Sequence, residues 1–412
     1  MMEESAPNAR ERATTLVYVL FSFVVGFGMT VSVPVAVLYR MQDAGLVPAQ
    51  LLWVGVAHEA TRFVFEIPTG AIADSWGRKK SIILGLFLSG VGLGMEGLLP
   101  RFSVILLAQL FWGIGLTFIS GAELAWFTDE VGEARARSLY GRATTARFLG
   151  AASGIVLGSF IGARSKPAAY FLAAALFVLL GVVGSFAIHE RRVSPPTTLG
   201  YRSRAMALVR LVLQSISKSE NIRAVFVVAT ATGLSIEGFE RLWEARLIAA
   251  PQFTEIPYAP PLILGATISV ALVVTAACGM IPESGLRKKT PPYAKLALMG
   301  MFPLVVGMSV FVFAGSAFGA IAGFVTLWGA RGILEPVQAA WLNDGIASDS
   351  RATLNSALTQ VNALGQLFGG VTIAVVLRFL SVRTAISLGI PVLIATCIWL
   401  YFLHRSQRMV RT

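Results

Sequence analysis

Apolar residues in this chain run in long unbroken stretches instead of alternating with polar ones. Twelve such stretches lie near 15–39, 51–73, 80–99, 103–127, 143–163, 167–188, 222–239, 260–282, 296–314, 317–341, 353–377 and 384–403. A hydrocarbon layer about 30 Å thick is crossed by a helix of about 20 mostly apolar residues, so each stretch predicts a spanning helix. Membrane-crossing strands would show a period of two, and the stretches do not. The first is about 25 residues long with no small-residue cleavage site behind it, so it reads as a retained helix and not a signal peptide. One connector is long: His189 to about Asn221 holds Pro195, Pro196 and six Arg or Lys, and it divides the spans six and six. The expectation is an all-α membrane protein, twelve transmembrane helices in two pseudo-symmetric six-helix bundles (1–189 and 222–412), joined by a cytoplasmic connector (190–221).

Composition narrows the function classes. Of 412 residues 55% are hydrophobic and 14% charged, against about 25% charged in soluble proteins. A soluble enzyme is excluded on that ground. Cys278 and Cys397 are too few for a disulfide framework or a thiolate cluster. His58, His189 and His404 are scattered, with no metal-ligand spacing, and neither a phosphate-binding glycine loop nor a nucleophile elbow is present. The reading is a protein that is not an enzyme and uses no cofactor or metal.

The net charge of +12 has a topological explanation. With both termini cytoplasmic, 23 Lys and Arg fall on the inner side and 8 on the outer, the bias expected of retained cytoplasmic loops. A basic chain of this kind does not call for nucleic acid.

The two halves echo each other. Ala125, Trp126, Phe127, Thr128, Asp129 matches Ala340, Trp341, Leu342, Asn343, Asp344 at an offset of 215, and Trp112 and Gly113 match Trp328 and Gly329 at 216. Arg142, Ala143, Thr144 matches Arg351, Ala352, Thr353 at 209. Such duplication is how transporters build a substrate site between repeats.

Between the second and third spans stands Gly70, Ala71, Ile72, Ala73, Asp74, Ser75, Trp76, Gly77, Arg78, Lys79, Lys80. Gly70 is expected to let helix backbones approach, Gly77 to permit a tight reversal, and Asp74 to pair with Arg78 across the turn as a latch. This motif resembles the signature loop of the major facilitator superfamily, and Glu66, Ile67, Pro68, Thr69, Gly70 leading into it is similar to bacterial drug:proton antiporters. The resemblance implies that Asp129 joins the charge cluster and that a monomer suffices. In the fifth span Gly150, Gly154, Gly158 and Gly162 form a small-residue stripe for close packing. Ile155 and Ser159 depart from the antiporter motif there, and Gln109 stands where many proton-coupled members have arginine.

Ionisable groups inside a bilayer are costly and usually functional. Glu59, Arg62 and Glu66 share one helix face at spacings of three and four, so Arg62 can hold one carboxylate and leave the other. Arg331 and Glu335 form an i to i+4 pair. Glu123 matches Gln338 of the repeat at an offset of 215, and Arg147 is the natural partner for a carboxylate of the second or fourth span. Glu237 completes the candidate substrate and proton set, while Glu240, Arg241, Glu244 and Arg246 read as an amphipathic outer extension. Glu96, one turn from a helix end, is expected at the interface, as are Trp53, Trp126, Trp243, Trp341 and Trp399. His58 points off the Glu59 stripe as a helix contact.

The expected function is secondary active export of a small amphipathic or drug-like compound by proton antiport with alternating access, an antibiotic-resistance type of efflux across a bacterial inner membrane. Two alternatives stay open: proton-coupled uptake of a small anionic metabolite clamped by Arg62, Arg147 and Arg331, and a non-transporting receptor on the same scaffold.

Overall fold

The computed structural model describes residues 9–190, 216–217, 219–249, 259–344 and 348–409. Most of the connector expected at 190–221 lies outside them. Among the described residues the regular structure is entirely helical. The first half comprises α1 (Ala9–Thr30), α2 (Val33–Leu38, running into a wide turn at Tyr39–Asp43), α3 (Pro48–Trp76), α4 (Arg78–Leu98), α5 (Phe102–Val131), α6 (Glu133–Arg164) and α7 (Lys166–Ala187). The second comprises α8 (Glu220–Ile248), α9 (Ala259–Gly279), α10 (Glu283–Leu286), α11 (Tyr293–Phe313), α12 (Ala317–Asn343), α13 (Ser348–Val376), α14 (Val382–Ser387) and α15 (Gly389–Met409).

Eleven segments among the described residues are long and apolar enough to span a bilayer. The twelfth expected span is α3, whose 29 residues reach about 43 Å at 1.5 Å per residue. Length is ample. Its apolarity is interrupted by Glu59, Arg62, Glu66 and Asp74, and that charge is what sets it apart.

The chain separates into two compact units, one of Met1–Leu46 and Ala57–Ser203, the other of Val47–Val56 and Arg204–Thr412. In the first, α4 packs on α5 and α7, and α1 on α6. In the second, α11 packs on α12 and α15, and α8 on α13. These are the same pairs in repeat order.

The repetition extends to single atoms. A Cβ on Gly26 would strike the Arg147 carbonyl, and one on Gly233 would strike that of Asn362. Gly85 lies against the Gly115 carbonyl and Gly300 against that of Ala330. The glycine stripe of α6 serves this packing: Gly150, Gly154 and Gly158 sit on the carbonyls of Phe23, Phe27 and Val31, and Gly162 on the Val35 side chain. With no side chain in the way, two helix backbones come into direct contact. Thr30 Oγ1 adds a hydrogen bond to the Ala151 carbonyl at 2.8 Å. Gly70, by contrast, faces open space: a Cβ there would meet nothing within 4 Å, so the close approach expected at this position does not occur.

Each unit has its own core, and the two differ in kind. In the first, Tyr18 stacks on Phe127 at 4.0 Å, with Val25, Leu86 and Phe177 fully enclosed. Glu96 is 1% exposed, deep in the bundle and not at an interface. Its carboxylate accepts from Arg40 Nε at 2.8 Å, Gln109 Nε2 at 2.7 Å and the Tyr170 hydroxyl at 2.8 Å, and its carbonyl accepts from the Tyr39 hydroxyl at 2.8 Å. Three donors on the carboxylate, one of them a guanidinium, offset the loss of water around a buried charge. At an offset of 215, Glu96 and Gln109 become Phe311 and Phe324, and there Phe239 meets both rings at 4.9 and 5.6 Å.

Tryptophans also depart from expectation. Trp126, Trp243 and Trp341 are 3%, 7% and 1% exposed, so they are core residues, while Trp53 and Trp399 are partly open as interfacial rings would be. A sequence position near a helix end does not say which face the ring takes.

Backbone contact along α6 makes a contrast. Gly158→Ala presses a methyl into a main-chain carbonyl and should cost about 1–3 kcal/mol, read as a lower melting temperature in detergent. Gly70→Ala should stay within about 1 kcal/mol of the parent. Equal melting of G158A and parent would refute the packing assignment.

Candidate functional site

The charged residues of the spans gather into separate clusters, at least one in each unit. On α3 the expected stripe is present. Arg62 lies 3.8 Å from Glu59, and Glu66 instead accepts a hydrogen bond from Ser120 Oγ of α5 at 3.2 Å. Arg62 thus takes one carboxylate and leaves the other to a hydroxyl. His58 packs on the Trp112 ring at 4.8 Å, a helix contact as expected.

One helical step further along α5, Glu123 meets Arg147 of α6 at 2.5 Å. The pair stands on the wall of a cavity of about 400 Å³ whose lining includes Tyr18, Met29, Tyr140 and Phe148. Only one carboxylate oxygen is used. The other, Oε2, is buried with no hydrogen-bond partner among the described residues. A buried carboxylate oxygen left without a donor is expensive, because the desolvation of that atom is not offset by a hydrogen bond.

The second unit has a smaller cavity of about 70 Å³, bounded by Thr232, Glu240, Arg331, Glu335, Gln338 and Asn362 among others. Arg331 is ion-paired with Glu240 of α8 and lies 3.5 Å from Glu335. Its guanidinium also covers the Trp328 ring at 4.7 Å, a favourable arrangement for a weakly hydrated cation. Glu335 is 64% exposed along its side chain, so Glu240 is the closer and more enclosed partner.

Glu240 is the residue that sequence spacing misplaces. The run from Glu237 to Arg246 is no solvated extension: α8 continues unbroken to Ile248, Glu237 and Glu244 are 0% and 6% exposed, and Leu242 and Leu247 are fully buried. Glu237 does not join Arg331 and Glu335. It pairs within its own helix with Arg241 Nε at 2.8 Å and lines neither cavity. The available signal was a charged run interleaved with Leu242, Trp243 and Leu247, a pattern of burial on more than one face.

The repeat makes the two units chemically unequal. At an offset of 215, Glu123 and Arg147 correspond to Gln338 and Asn362, so an ion pair in one unit is replaced by two amides in the other. Asn362 Nδ2 donates to the Ala229 carbonyl at 3.0 Å.

The signature loop brings Asp129 into its charge cluster, as the resemblance implies. Gly77 adopts φ +106°, a conformation that L side chains rarely take, and so reverses the chain between α3 and α4. Arg78 is ion-paired with Asp129 at the end of α5. The reversal brings Arg78 to the end of α5. At an offset of 215 the corresponding residues of the second half are Tyr293 and Asp344.

Two repeated helical units, nearly all their helices of membrane-crossing length and apolarity, with ion pairs and cavities inside, define a multi-pass membrane transporter. The chain belongs to the Major Facilitator Superfamily, whose model matches residues 18–370. It is 22% identical over 392 residues to the "Uncharacterized MFS-type transporter YxaM" of Bacillus subtilis (strain 168), covering 93% of this chain and 95% of that protein. To the "Quinolone resistance protein NorA" of Staphylococcus aureus (strain MRSA252) it is 24% identical over 221 residues, 54% of this chain and 55% of that protein. The fold is similar to the crystal structure of the nucleoside transporter NupG, with a TM-score of 0.72 at 11% identity over 97% of this chain and 98% of that one. It is likewise similar to a POT family transporter in complex with 5-aminolevulinic acid, with a TM-score of 0.75 at 13% identity over 95% and 96% of the two chains.

The unequal partners of Arg331 can be told apart by measurement. Glu240→Ala leaves a half-buried guanidinium short of its main partner and should cost about 3 kcal/mol of unfolding free energy in detergent. Glu335→Ala removes an exposed partner and should cost under about 1 kcal/mol. An E335A variant as damaged as E240A would reverse the ranking.

Proposed function

We propose that this transporter exports a small amphipathic compound in exchange for protons by alternating access. The observation that carries the proposal is Glu123: one oxygen on Arg147, the other unpartnered, on the wall of a mainly apolar cavity of about 400 Å³. Such a wall suits a ligand held by contact area, with a single polar anchor. Protonation of Glu123 would cancel its attraction for Arg147 and for a bound ligand together, so a proton and the substrate compete for one carboxylate. The protons would enter from outside a bacterial inner membrane, with both termini cytoplasmic and a monomer sufficient. The partial likeness to a quinolone resistance protein supports the efflux direction and an antibiotic-resistance role.

Uptake of an anionic metabolite would need arginines available to clamp it. Here Arg147 is engaged by Glu123 and Arg331 by Glu240 and Glu335, so the observed pairing favours export. Glu66 and Glu335, the partly exposed carboxylates, are the secondary groups in this scheme.

Inside-out vesicles with an imposed pH gradient test the reading, with ethidium as the first probe in a panel of amphipathic dyes and metabolites. Glu123→Gln should lower gradient-driven uptake by about tenfold or more, the scale on which a lost proton-coupling group acts, while exchange of substrate at equal pH survives. Gradient-driven transport by E123Q at the parent's rate would eliminate the competition scheme, and gradient-driven release from the same vesicles would reverse the direction.

A further inference from the structure

The start of α4 poses a capping problem. Gly77 is its N-cap residue and has no side chain to offer, so the first amides of α4 lack the usual acceptor. Their partner comes from elsewhere in the chain. Glu190 Oε1 accepts from the Arg78 amide at 2.8 Å, and Oε2 accepts from the Lys79 amide at 3.2 Å. Both carboxylate oxygens thus meet the positive end of the helix, where a negative charge is favoured. A Cβ on Gly77 would lie 3.0 Å from Glu190 Oε2, so the glycine serves the carboxylate's approach as well as the turn.

Glu190 is held from behind. Ile188 is 1% exposed in the core of the unit, and the His189 carbonyl accepts from Trp126 Nε1 at 2.9 Å. Three successive residues after α7 are therefore anchored. Trp126 lies one turn before Asp129 on α5, and Asp129 holds Arg78. The segment leaving α7, the α3–α4 reversal and the end of α5 form one closed circuit of hydrogen bonds and ion pairs.

The second half keeps part of this circuit and drops the rest. Tyr293 and Asp344 stand in the places of Arg78 and Asp129, but Arg405 stands in the place of Glu190, and α15 runs on as helix through it. Trp341, in the place of Trp126, has no partner for its Nε1 among the described residues. The carboxylate cap belongs only to the half whose last span leads into the central connector.

We infer that Glu190 is a positioning residue of the conformational cycle, which sets the orientation of the α4 N-terminus so that Arg78 can engage and release Asp129. The inference rests on the alternating-access reading above. It needs no knowledge of the substrate to be tested.

The test uses the purified full-length protein in lipid nanodiscs, with C278A and C397A removing the native thiols and T144C placing one reporter on the wall of the larger cavity. The readout is the rate of modification by a membrane-impermeant maleimide. Asp129→Asn should change that rate by about threefold or more, and Glu190→Ala should change it in the same direction. If Glu190 acts through the ion pair, the double variant stays within about 1.5-fold of D129N alone, the signature of two residues on one pathway. Glu190→Gln keeps one acceptor oxygen and should fall between parent and E190A, which also covers the case in which E190A folds poorly. A purely structural cap would lower the melting temperature and leave the modification rate unchanged, and that result overturns the inference, as does a double variant whose effects multiply. A silent D129N would overturn the switch reading itself and this inference with it. An effective D129N beside silent E190A and E190Q would sink this inference alone.

Discussion

A charge taken out of water must find an opposite charge or several donors, or the fold does not pay for it. Inside a bilayer that rule has few escapes, because neither solvent nor lipid supplies a partner. The buried charges of both units obey it: Glu96 with Arg40, Gln109 and Tyr170, Glu123 with Arg147, Arg331 with Glu240, and Glu237 with Arg241. The pairing decides which helices must touch. Glu96 ties the turn after α2 to α4, α5 and α7, and Arg331 ties α12 to α8. Apolar contact could bring the same helices together, as Phe239, Phe311 and Phe324 do in the other unit, but it would not specify one arrangement as narrowly.

Duplication followed by chemical divergence accounts for the rest of the architecture. The backbone contacts repeat residue for residue, Gly26 on Arg147 and Gly233 on Asn362. The side chains at those positions do not. Close backbone packing favours glycine, and Gly26 with Gly233 and Gly85 with Gly300 keep it in both units, whereas Gly158 corresponds to Ile373. Positions facing a cavity or a core interior are constrained only to be satisfied, and they have gone two ways: carboxylate and guanidinium in one unit, amides or rings in the other.

That distinction explains what can be read from sequence. Twelve spans are legible because hydrophobic length is a local property, and the α6 glycines because their spacing is. Glu123 and Arg147 are legible as partners through the cost of leaving either alone. Arg331 with Glu335 is legible too, but spacing along a helix finds only partners on the same helix, and Glu240 comes from another. The same blindness assigns Glu96 to an interface and places Trp126, Trp243 and Trp341 at the membrane surface. In each case the helix is right and its rotation about its own axis, which tertiary packing sets, is not.

Pairs within a helix and pairs between helices have different mechanical meanings. Glu237 with Arg241 and Glu59 with Arg62 persist however the helices move, because one backbone carries both partners. Glu123 with Arg147, Arg331 with Glu240 and Arg78 with Asp129 each join two helices, as Arg40 with Glu96 joins two segments, so pairs of this kind can respond to rearrangement. Among them Glu123–Arg147 stands apart. Arg147 sits on α6, whose backbone lies directly on α1 along Gly26, Gly150, Gly154 and Gly158, and sliding there would drive carbonyl oxygens into neighbouring main chain. With α6 held against α1, the pair opens by side-chain rotation, by proton transfer or by movement of the Glu123 helix, α5. A carboxylate on a cavity wall, with one oxygen on a guanidinium carried by α6 and the other buried with no hydrogen-bond partner among the described residues, has its charge only half satisfied.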